Sequence, residues 1–137
     1  MTETEVIAKT IFGEARGESI QGMEAVACVI MNRVKFATQK TSGYWWGNTP
    51  KEVCLKPYQF SCWNENDPNK LILERNLSGD IHYGVCERIA DRAVKGLLPD
   101  NTNGATHYHN KHSTPSWAKG KVPCAEVGGH VFYKGIE

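Results

Sequence analysis

Ile20-Gln21-Gly22-Met23-Glu24-Ala25-Val26-Ala27-Cys28-Val29-Ile30-Met31-Asn32-Arg33-Val34-Lys35-Phe36 is the stretch on which the fold turns. Met23, Val26, Ala27, Ile30 and Val34 recur at helical spacing, and Ser19 precedes them as a capping residue. The pattern predicts a helix over 20–36. Its unbroken small and apolar run from Ala25 to Met31 predicts burial on most sides, as for a central helix. Upstream, Val6, Ile7, Thr10 and Ile11 predict a first helix over 3–13. Downstream, residues 37–66 lose all helical period. Gly43, Gly47, Pro50 and Pro57 interleave there with Tyr44, Trp45, Trp46, Tyr58, Phe60 and Trp63, which reads as an aromatic-rich loop with a short hairpin around 57–63. Asp67-Pro68 reads as a cap and first helical residue, opening a short helix to about Asn76. Ser78 or Asp80 opens another, carried by Ile81, Val85, Ile89 and Ala93 and stopped by Gly96 and Pro99. After Gly104 the segments Thr106–His109 and His130–Tyr133 alternate as strands do. The expected fold is α+β, helix-dominated, with a small antiparallel sheet, in one domain over 1–137.

Composition narrows the function. The 137 residues carry 16 Lys+Arg against 15 Asp+Glu, with 40% hydrophobic and 23% charged residues. That balance is a globular protein's, and a net charge of +1 offers no footprint for nucleic acid or an anionic membrane. No apolar run approaches the roughly 20 residues of a membrane-spanning helix. The opening Met1-Thr2-Glu3-Thr4-Glu5 has neither the basic nor the apolar part of a secretory leader, so synthesis in the cytoplasm without a signal peptide is expected. Five cysteines, Cys28, Cys54, Cys62, Cys86 and Cys124, show no C-x-x-C spacing and read as reduced, mostly buried thiols. Cys54 and Cys62 are close enough in sequence to pair in an oxidising medium. A monomer is the expected state.

Three groups of residues could carry chemistry. Gly13-Glu14-Ala15-Arg16-Gly17-Glu18 sets two carboxylates four residues apart, on one face if the helix runs on. Its flanking glycines would leave a substrate room to approach. A second carboxylate and an apolar helix end both help an acid keep its proton near neutral pH, which general acid catalysis needs. The same spacing also fits an exposed acidic turn. His107, His109 and His112 form the second group. Two imidazoles on one strand face could hold zinc and support an amidase or peptidase, although no H-E-x-x-H motif is present and such histidines are often plain hydrogen-bonding residues. The third is the aromatic set Tyr44, Trp45, Trp46, Tyr58, Phe60, Trp63 and Trp117. Its members could stack on sugar rings, in an enzyme or in a non-catalytic sugar-binding module, or could pack under the loop as a satellite core. Trp45 and Trp46 are adjacent, so at least one is expected to face a groove or solvent.

With these residues in view, the chain resembles the SleB/CwlJ-type cell wall hydrolases. The resemblance rests on Ile11-Phe12-Gly13-Glu14-Ala15-Arg16-Gly17-Glu18, Gly22–Ala27 and Val29–Val34. It continues through Tyr58-Gln59-Phe60-Ser61-Cys62-Trp63, Gly104–His109, Pro115-Ser116-Trp117 and Gly129-His130-Val131-Phe132-Tyr133, so it spans nearly the whole chain. It implies a lysozyme-like domain that cleaves peptidoglycan glycan strands between N-acetylmuramic acid and N-acetylglucosamine, as a lytic transglycosylase or a muramidase, without a cofactor or metal. Glu14 takes the place of the family's catalytic glutamate, with Glu18 tuning or orienting the site. Gln59, Phe60, Ser61, Trp63, Thr106, His107 and Tyr108 are then expected to line the substrate groove. Family members often add a leader and a separate wall-binding domain. A bare catalytic domain suggests a phage endolysin, made in the cytoplasm and acting on the bacterial cell wall.

Overall fold

A computed structural model describes residues 1–137. Each long helix begins where a side chain can satisfy its first free amides. The Thr2 hydroxyl accepts from Glu5 N–H and opens α1 (Glu3–Ala15). Ser19 accepts from Gly22 N–H and opens α2 (Ile20–Thr38). Asp67 and Asp80 cap α4 (Pro68–Leu73) and α5 (Ile81–Val94). Between them, Thr49 caps a two-turn helix, α3 (Pro50–Leu55), with proline in its first turn.

The main core lies where α1 packs on α5, α2 and α3. Val6, Ile7, Ile11, Val26, Ile30, Val53, Leu73 and Ile89 are sealed from solvent there, with Phe60 and Trp46 closing one end. Burial of each such aliphatic side chain contributes about 1.5–3 kcal/mol. A smaller cluster sits on another face of α2, where Ala25 and Val29 meet Ala105 and Phe132 of the sheet side. The apolar run 25–31 is explained by these two loads. It presents Val26 and Ile30 to the helices and Ala25 and Val29 to the sheet.

The sheet comes last in sequence, as expected. Strands β1 (His107–Asn110), β2 (Ala125–Val127) and β3 (His130–Tyr133) pair antiparallel in the order β1-β3-β2. The register puts Tyr108 opposite Phe132 and Asn110 opposite His130. Strand β2 was not foreseen: three residues with one polar position are too few to show alternation, and pairing with β3 alone makes them a strand. No hairpin forms at 57–63 either. That segment is a bend followed by a single 3-10 turn, Ser61–Trp63, because Phe60 and Cys62 are drawn into the helical core. The short α3 replaces part of the expected loop, and its Thr49-Pro50 start is the same cap-and-proline signal that opens α4. No helix is long and apolar enough to cross a membrane.

Candidate active site

Glu14 lies in the last turn of α1, half-buried, and two other elements meet at its carboxylate. Tyr108 O–H, from β1, donates to Oε1 at 2.7 Å. Cys62 N–H, from the 3-10 turn, donates to Oε2 at 3.2 Å, and the exposed Ser61 hydroxyl lies 3.5 Å from the same oxygen. Burial and the adjoining Glu14 push the Tyr108 phenol well above its ordinary range, so it remains a donor at any working pH.

Gly13 makes this meeting possible. A Cβ there would stand 2.6 Å from Cys62 Cβ and 2.8 Å from its Sγ, so only glycine lets the turn approach α1 and bring the Cys62 amide to Glu14. The space beside Gly13 is therefore filled by protein, contrary to its expected use by substrate. Gly17 does open onto free space.

Glu18 is seated elsewhere. Helix α1 stops at Ala15, so the two glutamates do not share a helix face, and Glu18 sits in the α1–α2 connection. Its Oε1 accepts Gly129 N–H at 2.6 Å and lies 3.6 Å from His130 Nδ1. A Cβ on Gly128 or Gly129 would come within 3.0 or 2.9 Å of that oxygen. The β2–β3 turn is thus glycine at the two points where Glu18 presses on it. His130 is buried and its pKa is lowered by that burial, which outweighs the opposing pull of Glu18 and Glu14. Its ring meets Tyr108 edge to face at 4.9 Å. Tyr108 and His130 therefore stand between the seats of the two carboxylates, one touching each.

Arg33 is a component that sequence reading passed over. It is 5% exposed, in line with Val26, Ile30 and Ala37 on the buried stripe of α2, and an arginine in an apolar stripe was the available signal. Its Nε donates to Thr106 O at 2.7 Å and its Nη1 to Gln59 Oε1 at 3.3 Å. The guanidinium lies 5.2 and 5.1 Å from the ring centres of Trp46 and Phe60, while Trp46 Nε1–H donates to Arg33 O. One cation thereby fixes the start of β1 to the aromatic loop.

The expected groove residues divide accordingly. Ser61 and Tyr108 reach Glu14. Gln59 is held by Arg33. Trp63 is half-buried, its indole N–H donating to Thr10 Oγ1 at 2.9 Å. Phe60, 1% exposed, and Thr106, 3% exposed, do not line a groove. Phe60 packs beneath Arg33, and the Thr106 hydroxyl is bonded to Glu137 and His107 Nδ1. His107 sits between Trp46 and Trp117. Burial first, and then Arg33, lowers its pKa to about 4, leaving it neutral near pH 7.

His107 and His109 do share a strand face, where both rings meet Trp117. His109 also bonds Tyr133 Oη and Asn110 O, and His112 is exposed in the following turn. No three His, Cys, Asp or Glu side chains converge in a way that could hold a metal ion, so the zinc reading lacks a ligand set. All five cysteines are free thiols, Cys54 and Cys62 included.

The fold and site define a helix-rich protein whose small sheet delivers a tyrosine to a carboxylate at the end of the first helix. The cell wall hydrolase family model matches residues 17–133, and the chain belongs to that family. Glu14 precedes the matched stretch, whereas Glu18 falls within it. The chain is 30% identical over 135 residues to the spore cortex-lytic enzyme of Halalkalibacterium halodurans, covering 95% of this chain and 34% of that protein. It is 28% identical to the spore cortex-lytic enzyme of Bacillus cereus, covering 96% and 44%. The chain thus spans less than half the length of either relative. Among solved structures, the catalytic domain of the Bacillus cereus SleB protein superposes with a TM-score of 0.72 at 26% identity, over 96% of this chain and 89% of that one. The catalytic domain of the germination-specific lytic transglycosylase SleB from Bacillus anthracis gives 0.70 at 26% identity, over 96% and 93%.

Proposed function

We propose that this protein cleaves the glycan backbone of peptidoglycan between N-acetylmuramic acid and N-acetylglucosamine, with Glu14 as both acid and base. The observation that carries the reading is the seat of Glu14: a half-buried carboxylate with one oxygen fixed by Tyr108 and the other directed at the exposed Ser61 edge. In this reading Oε2 is the oxygen that exchanges the proton with substrate. Its contacts are longer than the 2.7 Å bond at Oε1, and it faces the accessible side.

In the first half of the step Oε2–H protonates the glycosidic oxygen as the bond from muramic acid C1 breaks. In the second half the C6 hydroxyl of the same muramic acid attacks C1, and the Glu14 carboxylate accepts the hydroxyl proton. The products are a 1,6-anhydro-muramic end and a free 4-hydroxyl on N-acetylglucosamine. Water is not consumed, and Glu14 finishes as it began. This route needs no second carboxylate, and Glu18 is engaged with Gly129 and the His130 side. The Bacillus anthracis structural relative, a lytic transglycosylase by name, supports the same outcome.

The test is a digest of purified peptidoglycan by wild type and Glu14→Gln, with fragments read by mass spectrometry. Anhydro-muramic ends from wild type alone are the expected result. Reducing muramic ends would make the enzyme a muramidase. Released peptides with intact glycan would overturn the reading.

A further inference from the structure

Beside the 3-10 turn that holds Glu14 lies a groove of about 460 Å³, walled by Lys56, Tyr58, Trp63, Asn64, Asn66 and Lys70. It shares Leu55 and Lys56 with a second groove of about 430 Å³, whose far side is Trp45, Trp46 and Asn48. Together they form a trough over the α3 end that starts two residues from Ser61 and ends at Trp45.

Two features of this trough are unexplained by the stability of the fold, and a third residue is fixed by the core beneath it. Tyr58 has φ +65°, a conformation that costs a non-glycine residue about 1–2 kcal/mol, yet its side chain is 85% exposed and returns nothing to the core. Trp45 is 54% exposed although its ring lies 5.7 Å from buried Trp46 and 6.2 Å from Tyr44, so its outer face is presented by a rigid aromatic base. Trp63 is pinned by Thr10, one helical turn before Glu14, and turns the remainder of its ring to the groove.

Resting on the glycan-cleaving reading, we propose that this trough binds the glycan strand beyond the scissile bond, seating N-acetylated sugars on Tyr58 and Trp45. The chemistry favours sugar over the acidic stem peptide. Flat aromatic faces alternate with the neutral amides of Asn64, Asn66 and Asn48, which suit the apolar ring faces, hydroxyls and acetamido groups of such sugars. The trough's two lysines, Lys56 and Lys70, are balanced by Glu52 and Glu65, so the lining carries no net charge toward an acidic peptide. A linear polymer held at Glu14 also needs contacts away from it, and Trp63, in the same turn whose Ser61 and Cys62 reach Glu14, lines the near end of the trough.

The experiment pairs cleavage with binding. Wild type, Trp45→Ala, Tyr58→Ala and the conservative Trp45→Tyr are assayed on peptide-free glycan strands of increasing length. The Glu14→Gln protein, with and without Trp45→Ala, is titrated with the longest strand and separately with free stem peptide, by calorimetry. Trp45→Ala and Tyr58→Ala are expected to lower kcat/KM roughly tenfold on long strands, the scale of one lost aromatic contact. They should leave the shortest cleavable strand unchanged, and Trp45→Tyr should restore most of the loss. Equal losses on short and long strands, or none, would overturn the proposal, as would calorimetric binding of the peptide in place of glycan. If wild type cleaves no glycan, the cleavage reading fails. Glycan binding that still weakens with Trp45→Ala would then support the trough, and unchanged binding would overturn it.

Discussion

Glu14 and Glu18 are four residues apart, yet the fold puts them to opposite uses. Glu14 takes a hydroxyl on one oxygen and an amide on the other, and the second oxygen faces the Ser61 edge. Glu18 presses into the glycine turn between β2 and β3 and ties the sheet to the start of α2. The difference is made by where α1 ends. Had the helix run on, the two acids would share a face, about 5–6 Å apart at Cβ. Because it stops at Ala15, one acid is left beside the exposed Ser61 and the other becomes a clamp. Proximity in sequence is no guide to a shared chemical task.

The largest expected effect breaks the comparison at its catalytic side. Glu14→Gln should reduce glycan cleavage by about 10³-fold, within the range for loss of a general acid, while the melting temperature barely moves. Equal activity in the mutant would remove Glu14 from the mechanism. Tyr108→Phe should follow, lowering kcat by roughly tenfold with KM little changed, since it removes one directed hydrogen bond from the reacting group and leaves the ring in place. Steady-state kinetics separates the two parameters.

Gly13→Ala tests the approach of the turn independently of any acid. The added methyl overlaps Cys62, and overpacking of this kind costs about 1–3 kcal/mol. Thermal denaturation should register that loss, and cleavage should fall because the Cys62 amide moves away from Glu14. Glu18→Ala should give the converse of Glu14→Gln. Loss of about 1–3 kcal/mol is expected from leaving the Gly129 amide unpaired, with cleavage falling less than tenfold. A Glu18→Ala protein as stable as wild type but inactive would reverse the roles assigned to the two acids.

A separate effect is in the pH dependence of stability. His107 has a folded pKa of about 4 against an ordinary 6.5. Between those values the unfolded chain binds more protons than the folded one, so stability is full above pH 6.5 and declines as pH falls toward 4. Buried His130, also lowered, acts in the same direction. Melting temperatures measured across this window should fall with acid, and His107→Gln should flatten the slope.

Much of this was legible in the sequence because it is local. The cap at Ser19, the stripe through Val26 and Ile30, and the Asp67-Pro68 start depend on neighbours within a turn or two, and all of them stand in the structure. The G-E-A-R-G-E block also drew attention to Glu14 before any geometry was known. Periodicity could not reveal α3 or β2; only the Thr49-Pro50 start signals α3, and β2 is made a strand by its pairing with β3. Nor could it show that Phe60 and Thr106 are buried, since their surroundings come from α2, β3 and the C-terminal residue. By itself, the sequence determined α1, α2, α4 and α5, the sheet that follows them and the family, since hydrophobic period, capping and local motifs act over a few residues. Tertiary structure alone decided which glutamate meets Ser61 and Cys62, that Tyr108 reaches it across 94 positions of chain, and that a buried arginine joins strand to loop, because long-range packing sets those distances and no local pattern encodes them.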